Sequence, residues 1–183
     1  MRRMKTTAPR LTMIALAVTL NIVLGNLALF LRLPIYLDTV GTIFAATVLG
    51  PVAGIITGLC SALFTGVTTD LFSLYFAPVQ LCVGFMSGVL LHNKKASWSL
   101  PLKALLITLP GTLVASLITV LLFGGITSSG SSLLVQVIHG LGVNQTLSVF
   151  LVQIGTDYLD KLLAVSLVIS AVKALPRYRQ IGS

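Results

Sequence analysis

The sequence predicts an all-α integral membrane protein, a bundle of six transmembrane helices, and three observations carry that prediction. Of the 183 residues, 56% are hydrophobic and only 9% are charged, where a soluble domain carries about 25% charged residues. Long apolar stretches fill most of the chain, and a spanning helix needs about 20 mostly apolar residues, so this length supplies about six with short loops. The twelve Lys and Arg against four Asp and no Glu give a net charge of +8, and these basic residues fall in clusters between apolar stretches rather than along one face. A water-soluble enzyme domain is excluded, and no separate globular domain has room. Residues 1–183 read as a single membrane domain, with a basic terminus at 1–10, helices over about 11–175, and a basic tail at 176–183.

Helix 1 is expected over residues 11–31, interrupted only by neutral polar residues and Gly25. That run is too long for the roughly 7 to 15 residues of a signal-peptide core, so it reads as a membrane helix. A second stretch covers 39–49 and a third 52–67, divided by Gly50-Pro51. Proline lacks the amide donor and restricts the residue before it, so the pair breaks the helix into two. Residues 68–73 are polar enough for a loop, and a fourth helix fits 77–91. Residues 92–99, with Lys94 and Lys95, form a basic loop. Helix 5 is expected over 101–123, with Pro110 predicting a kink. A Gly- and Ser-rich connection, 124–132, leads into a mixed segment, 133–155. The last helix starts between Thr146 and Thr156 and ends near Pro176.

Orientation follows from the positive charges, because cytoplasmic loops near membrane helices are enriched in Lys and Arg. With six spans both termini share one side, which would hold ten of the twelve basic residues. The opposite side would hold Arg32, Lys161 and all four acids, Asp38, Asp70, Asp157 and Asp160. The +8 balance therefore reports cytoplasmic termini rather than a nucleic-acid partner. Cys60 and Cys82 lie in apolar stretches as small hydrophobes and form no metal motif.

No phosphate-binding Gly-x-x-x-x-Gly-Lys loop, His-Glu-x-x-His or Gly-x-Ser-x-Gly run occurs. Any ATP-driven work would belong to another chain, and no cofactor is expected. Small residues instead recur at four-residue spacing: Gly50, Gly54, Gly58 and Ala62, then Gly84 and Gly88, and on helix 1 Ala15 and Thr19. Such stripes let helix backbones approach closely in lipid, within the bundle or, for helix 1, against a partner. Ionisable groups in apolar segments are expensive and line a pathway or a site. Asp157 and Lys161, four apart with the acid first, suit a helical ion pair. With Asp38, Tyr75, Gln80, His139 and Asn144 at the same outer level, they predict a polar binding site. A stand-alone proton-coupled carrier or ion channel, relaying through Asp38, Asp157 and Lys161, is the alternative. It calls for charge spread through the membrane depth, whereas the acids cluster at one face. An intramembrane hydrolase built on Ser87 and His139 lacks any fixed spacing.

Ala15-Leu16-Ala17-Val18-Thr19-Leu20, the run Leu49-Gly50-Pro51-Val52-Ala53-Gly54 with Gly58 and Ser61, and Asp157-Tyr158-Leu159-Asp160-Lys161 before a basic tail resemble the S components of energy-coupling factor (ECF) transporters, the vitamin importers of prokaryotes. That resemblance implies a six-helix subunit of the prokaryotic cell membrane that binds a vitamin near the outer face. It implies partners too: a transmembrane coupling subunit, met through helix 1, and two ATPases. The family's Ala-x-x-x-Ala motif on helix 1 corresponds to Ala15 and Thr19, with Thr in place of the second Ala. Its ligand-contact regions correspond to residues 36–38, 75–80, 139–144 and 157–161. The substrate class favoured by the polar residues is a pyridoxine or hydroxymethylpyrimidine type, ahead of riboflavin or pantothenate.

Overall fold

The structure is a computed structural model that describes residues 7–92 and 99–174. Lys94, Lys95 and Trp98, and the terminal basic residues Arg2, Arg3, Lys5, Arg177 and Arg179, lie outside the described residues. Among the described residues the chain forms eight helices and no strand: α1 (Thr7–Phe30), α2 (Val40–Leu49), α3 (Pro51–Thr68), α4 (Phe72–Tyr75), α5 (Ala77–Leu91), α6 (Leu100–Phe123), α7 (Ser131–Gly140) and α8 (Gln145–Ala174). Among the described residues three stretches are long and apolar enough to cross a membrane, Ala8–Phe30, Pro51–Thr68 and Leu100–Phe123. Helix α8 has the length, at 30 residues, but carries Asp157, Asp160 and Lys161 near its middle.

Gly50 ends α2 with φ +100°, a conformation costly for any residue with a Cβ, and Pro51 opens α3, where its missing amide is harmless. Pro110 sits inside the unbroken α6. The segment 68–73 is only partly a loop, because α4 begins at Phe72, and the mixed segment 133–155 resolves into α7 and the first turns of α8.

The polarity of the bundle is reversed from that of a water-soluble one. On α6 the buried face carries Thr108, Gly111, Thr112, Ala115, Ser116 and Thr119, while Leu105, Leu109, Leu113, Leu117 and Leu121 point outward. On α8, Gln153, Asp157, Asp160 and Lys161 are buried and Leu159, Leu163 and Leu167 are exposed. A coat of leucine around a polar interior suits hydrocarbon, where unsatisfied polar groups outside would cost several kcal/mol each.

Glycine decides how closely the helices approach. A Cβ built on Gly54 would lie 2.7 Å from the carbonyl oxygen of Gly84, and one on Gly84 would lie 2.6 Å from that of Gly54. Gly58 meets Gln80 and Gly88 meets Pro51 in the same way, so the two small-residue stripes face each other as the α3–α5 seam. Gly41 does this for α1 and α2, its missing Cβ lying 1.9 Å from the carbonyl oxygen of Ala17. We expect Gly84→Val to abolish recovery of monodisperse folded protein in detergent, since overpacking costs about 1–3 kcal/mol even where side chains can yield and here the obstacle is backbone. Gly155→Val, at a helical position where a Cβ meets nothing within 4 Å, should chromatograph as the parent does. Equal behaviour of the two variants would remove the seam from the account.

Two apolar clusters bracket the polar middle. The larger joins Val40 and Ile43 of α2, Val83 and Leu91 of α5, Ile107 of α6, and Ala164, Val165, Val168 and Val172 of α8. The smaller packs Val135 of α7 against Val149 and Val152 of α8.

Candidate functional site

A cavity of about 120 Å³ opens inside the bundle, an order of magnitude more than the roughly 10–15 Å³ that holds one water. It is lined by the second halves of α1 and α3, the start of α5, the middle of α6 and α8, and the loops that follow α1, α3 and α6. It therefore lies toward the end of the bundle where α1 finishes. Arg10 is about 22 Å away along α1 from Gly25, and Lys173 about 18 Å along α8 from Lys161, at 1.5 Å per residue.

The wall is assembled by a chain of hydrogen bonds that begins on α1. Asn21 Nδ2 donates to Thr42 Oγ1 (2.8 Å) and Ser61 Oγ (3.0 Å), and its Oδ1 accepts from the Gly41 amide (2.6 Å). Gly41 is the second residue of α2, whose N-cap Thr39 makes no side-chain cap, so Asn21 satisfies an amide that the helix itself leaves open. Thr42 Oγ1 donates to Gln80 Oε1 (3.3 Å), and Gln80 Nε2 donates to Asp38 Oδ2 (2.7 Å). Burial pushes the Asp38 carboxyl above the ordinary carboxylate range, with the positive charge of Lys161 pulling it back. Thr39 is buried on the same wall, and among the described residues its hydroxyl has no hydrogen-bond partner.

The opposite wall comes from α6 and α8. Thr112 Oγ1 donates to Asp157 Oδ2 (2.7 Å). Lys161 Nζ lies 2.6 Å from Asp160 Oδ2. The expected Asp157–Lys161 ion pair is thus replaced by a pair between neighbours in sequence. The reason is tertiary: Asp160 Oδ1 also accepts the amides of Leu37 (2.7 Å) and Tyr36 (3.2 Å), and its carboxylate carries the charge that draws Lys161. Those two bonds hold the loop after α1 in a shape that needs Leu37 at φ +54°, unusual for a residue with a branched side chain. Nothing in the spacing of Asp160 distinguishes it in the sequence, because its partners are backbone groups more than 120 residues away.

Three loops close the cavity on its open side. Tyr36 Oη is within 3.3 Å of Ser129 Oγ and 3.1 Å of Ser131 Oγ, and Ser128 Oγ donates to Asp70 Oδ2 (2.8 Å). The Tyr36 phenol is pushed up to about 12, first by burial and then by the charge of Asp157, so it stays a neutral hydrogen-bonding group. Phe72 and Phe76 complete the lining, their rings 4.7 Å and 6.1 Å from that of Phe123 behind them.

Of the residues predicted for the site, Asp38, Gln80, Asp157 and Lys161 line this cavity and Tyr75, His139 and Asn144 do not. Tyr75 is 47% exposed and sets its ring edge-on against Phe123. His139 ends α7 on the outside, its Nδ1 2.9 Å from the carbonyl of Val143. Asn144 is exposed too, and its Oδ1 accepts the Thr146 amide at the start of α8. Sequence reasoning did not single out Thr39 or Thr112, and it reached Tyr36 and Asp160 only as members of the regions 36–38 and 157–161 that the resemblance implies. Ala15 and Thr19 both face outward on α1, with Thr19 Oγ1 donating to the Ala15 carbonyl (3.0 Å). No group of three or more His, Cys, Asp or Glu able to hold a metal occurs among the described residues.

A family model described as ECF transporter, substrate-specific component, matches residues 9–178. No curated protein and no solved structure matches the chain.

Proposed function

The chain belongs to the substrate-specific components of ECF transporters, and from that premise we propose that the cavity behind Tyr36 is the substrate site of a subunit that imports a small water-soluble vitamin or precursor. The observation that carries this reading is the cavity itself: a loop-covered, mainly apolar chamber into which a few polar side chains, Asp38, Gln80, Asp157 and Lys161, are set. Its size suits one ring with small substituents, so a pyridoxine or hydroxymethylpyrimidine type is favoured over riboflavin or pantothenate. The six spans of this reading are α1, α2, α3, α5, α6 and α8, with α4 and α7 as short elements beside the cavity. Both termini are cytoplasmic, as the clustering of basic residues implies, and the cavity faces the outside of a prokaryotic cell membrane. ATP hydrolysis belongs to two partner subunits, joined through a transmembrane coupling subunit that meets Ala15 and Thr19.

A carrier or channel working alone is less well supported, because Ile43, Leu91, Ile107, Ala164, Val165, Val168 and Val172 of the larger apolar cluster follow the cavity-lining residues toward the far end of the bundle. Purification in mild detergent followed by mass spectrometry of bound small molecules tests the proposal. Recovery of a vitamin-like compound supports it; ion flux from the protein alone in liposomes, with no compound recovered, would overturn it. Asp157→Asn should weaken binding of the recovered compound by at least about 1 kcal/mol, the scale of a hydrogen bond to a charged group. Unchanged affinity on titration calorimetry would move the contact elsewhere in the cavity.

A further inference from the structure

We propose that the ligand of this cavity is a single-ring nitrogen heterocycle bound as a cation, with its charged edge toward Asp38 and Asp157 and its face against Phe72 and Phe76. The inference rests on the reading of the cavity as a substrate site and specifies what that site selects.

The charges on the wall are unbalanced. Asp38, Asp70, Asp157 and Lys161 line the cavity, and the one ammonium among them is bonded at 2.6 Å to a further carboxylate, Asp160, which is 0% exposed. Three carboxylates, Asp38, Asp157 and Asp160, thus share a single Lys, while the half-exposed Asp70 accepts from Ser128. The side-chain donors that reach Asp38 and Asp157 are neutral, the Gln80 amide and the Thr112 hydroxyl, each engaging one carboxylate oxygen. Buried charge without a partner of opposite sign is costly. An anionic ligand would add to that cost and a neutral one would leave it, whereas a cation offsets it.

The remaining wall restricts where the positive charge sits on the ligand. Phe72 and Phe76 present aromatic surface, and an aromatic face attracts a cation within about 6 Å of its centroid. A compact ammonium offers the carboxylates its charge but presents no flat face to the rings. A ring whose positive charge is delocalised meets both.

Three one-ring probes of nearly equal size separate the alternatives: 3-(hydroxymethyl)-1-methylpyridinium, neutral 3-methylbenzyl alcohol, and anionic 3-methylbenzoate. Titration calorimetry on the full-length protein in detergent should give the cation at least about tenfold tighter binding than the alcohol, with the benzoate weakest, a ratio worth one decade of affinity. In Asp157→Asn and in Asp38→Asn, both close in shape to the parent side chain, the preference for the cation should fall to about threefold or less while the affinity for the alcohol holds. Equal binding of cation and alcohol, tighter binding of the benzoate, or no binding of the cation overturns the inference. The two readings fail separately. A neutral or anionic vitamin found with the purified protein sinks the charge preference and leaves the transport subunit standing. Absence of any bound compound, with ion flux from the protein alone, removes the substrate site itself.

Discussion

Asp160→Ala should leave little folded protein. The carboxylate is fully buried, holds Lys161 at 2.6 Å, and accepts the amides of Tyr36 and Leu37. Removing it strands an ammonium that is itself 5% exposed, and breaking one side of a buried pair costs about 3–5 kcal/mol. It also frees the loop after α1, and with it the wall that carries Tyr36 and Asp38. Unfolding titrated with a denaturing detergent and followed by circular dichroism would read the loss. Adding Lys161→Met should restore part of the stability, because the stranded charge is then gone, but not the binding of small molecules. A single variant as resistant as the parent would show that the pair contributes nothing to the fold.

Ala15→Trp should abolish uptake in cells that supply the partner subunits and leave ligand binding by the purified protein intact. Ala15 and Thr19 face outward on α1, and Ala15 is about 9 Å along the helix from Asn21, the first cavity residue on it, at ~1.5 Å rise per residue. A large ring at that point obstructs helix contact where small residues allow close approach. Uptake at the parental rate would dissociate α1 from the partner, and loss of binding in the isolated protein would show that the substitution damages the bundle instead.

The elements were legible where a local rule acts alone. Gly50-Pro51 marks the end of α2 and the start of α3, and residues 77–91 delimit α5 as the structure has it. The short helices were not, because α4 and α7 are too brief to register as apolar stretches. The charged part of the cavity wall could be read from the cost of charge in lipid, which singles out Asp38, Asp157 and Lys161 wherever the chain puts them. Tyr75, His139 and Asn144 were assigned by level along the membrane, and level does not fix which way a side chain turns. Asp160 and Asn21 act on backbone amides of other elements, a role with no spacing signature. The glycines of the α3–α5 seam were visible as stripes, but that they face one another is a property of the packing alone.

The apolar plug of Ile43, Ile107, Val165 and Val168 beneath the cavity has an electrical consequence. In an energised membrane the potential drops across the insulating material between the two aqueous sides, about 2.3 kcal/mol per elementary charge for each 100 mV crossed in full. A chamber opening toward one side, with this dielectric beneath it, sits near the potential of that side. A charged occupant therefore enters against little of the field, and the voltage bears on its later passage across the plug rather than on its capture.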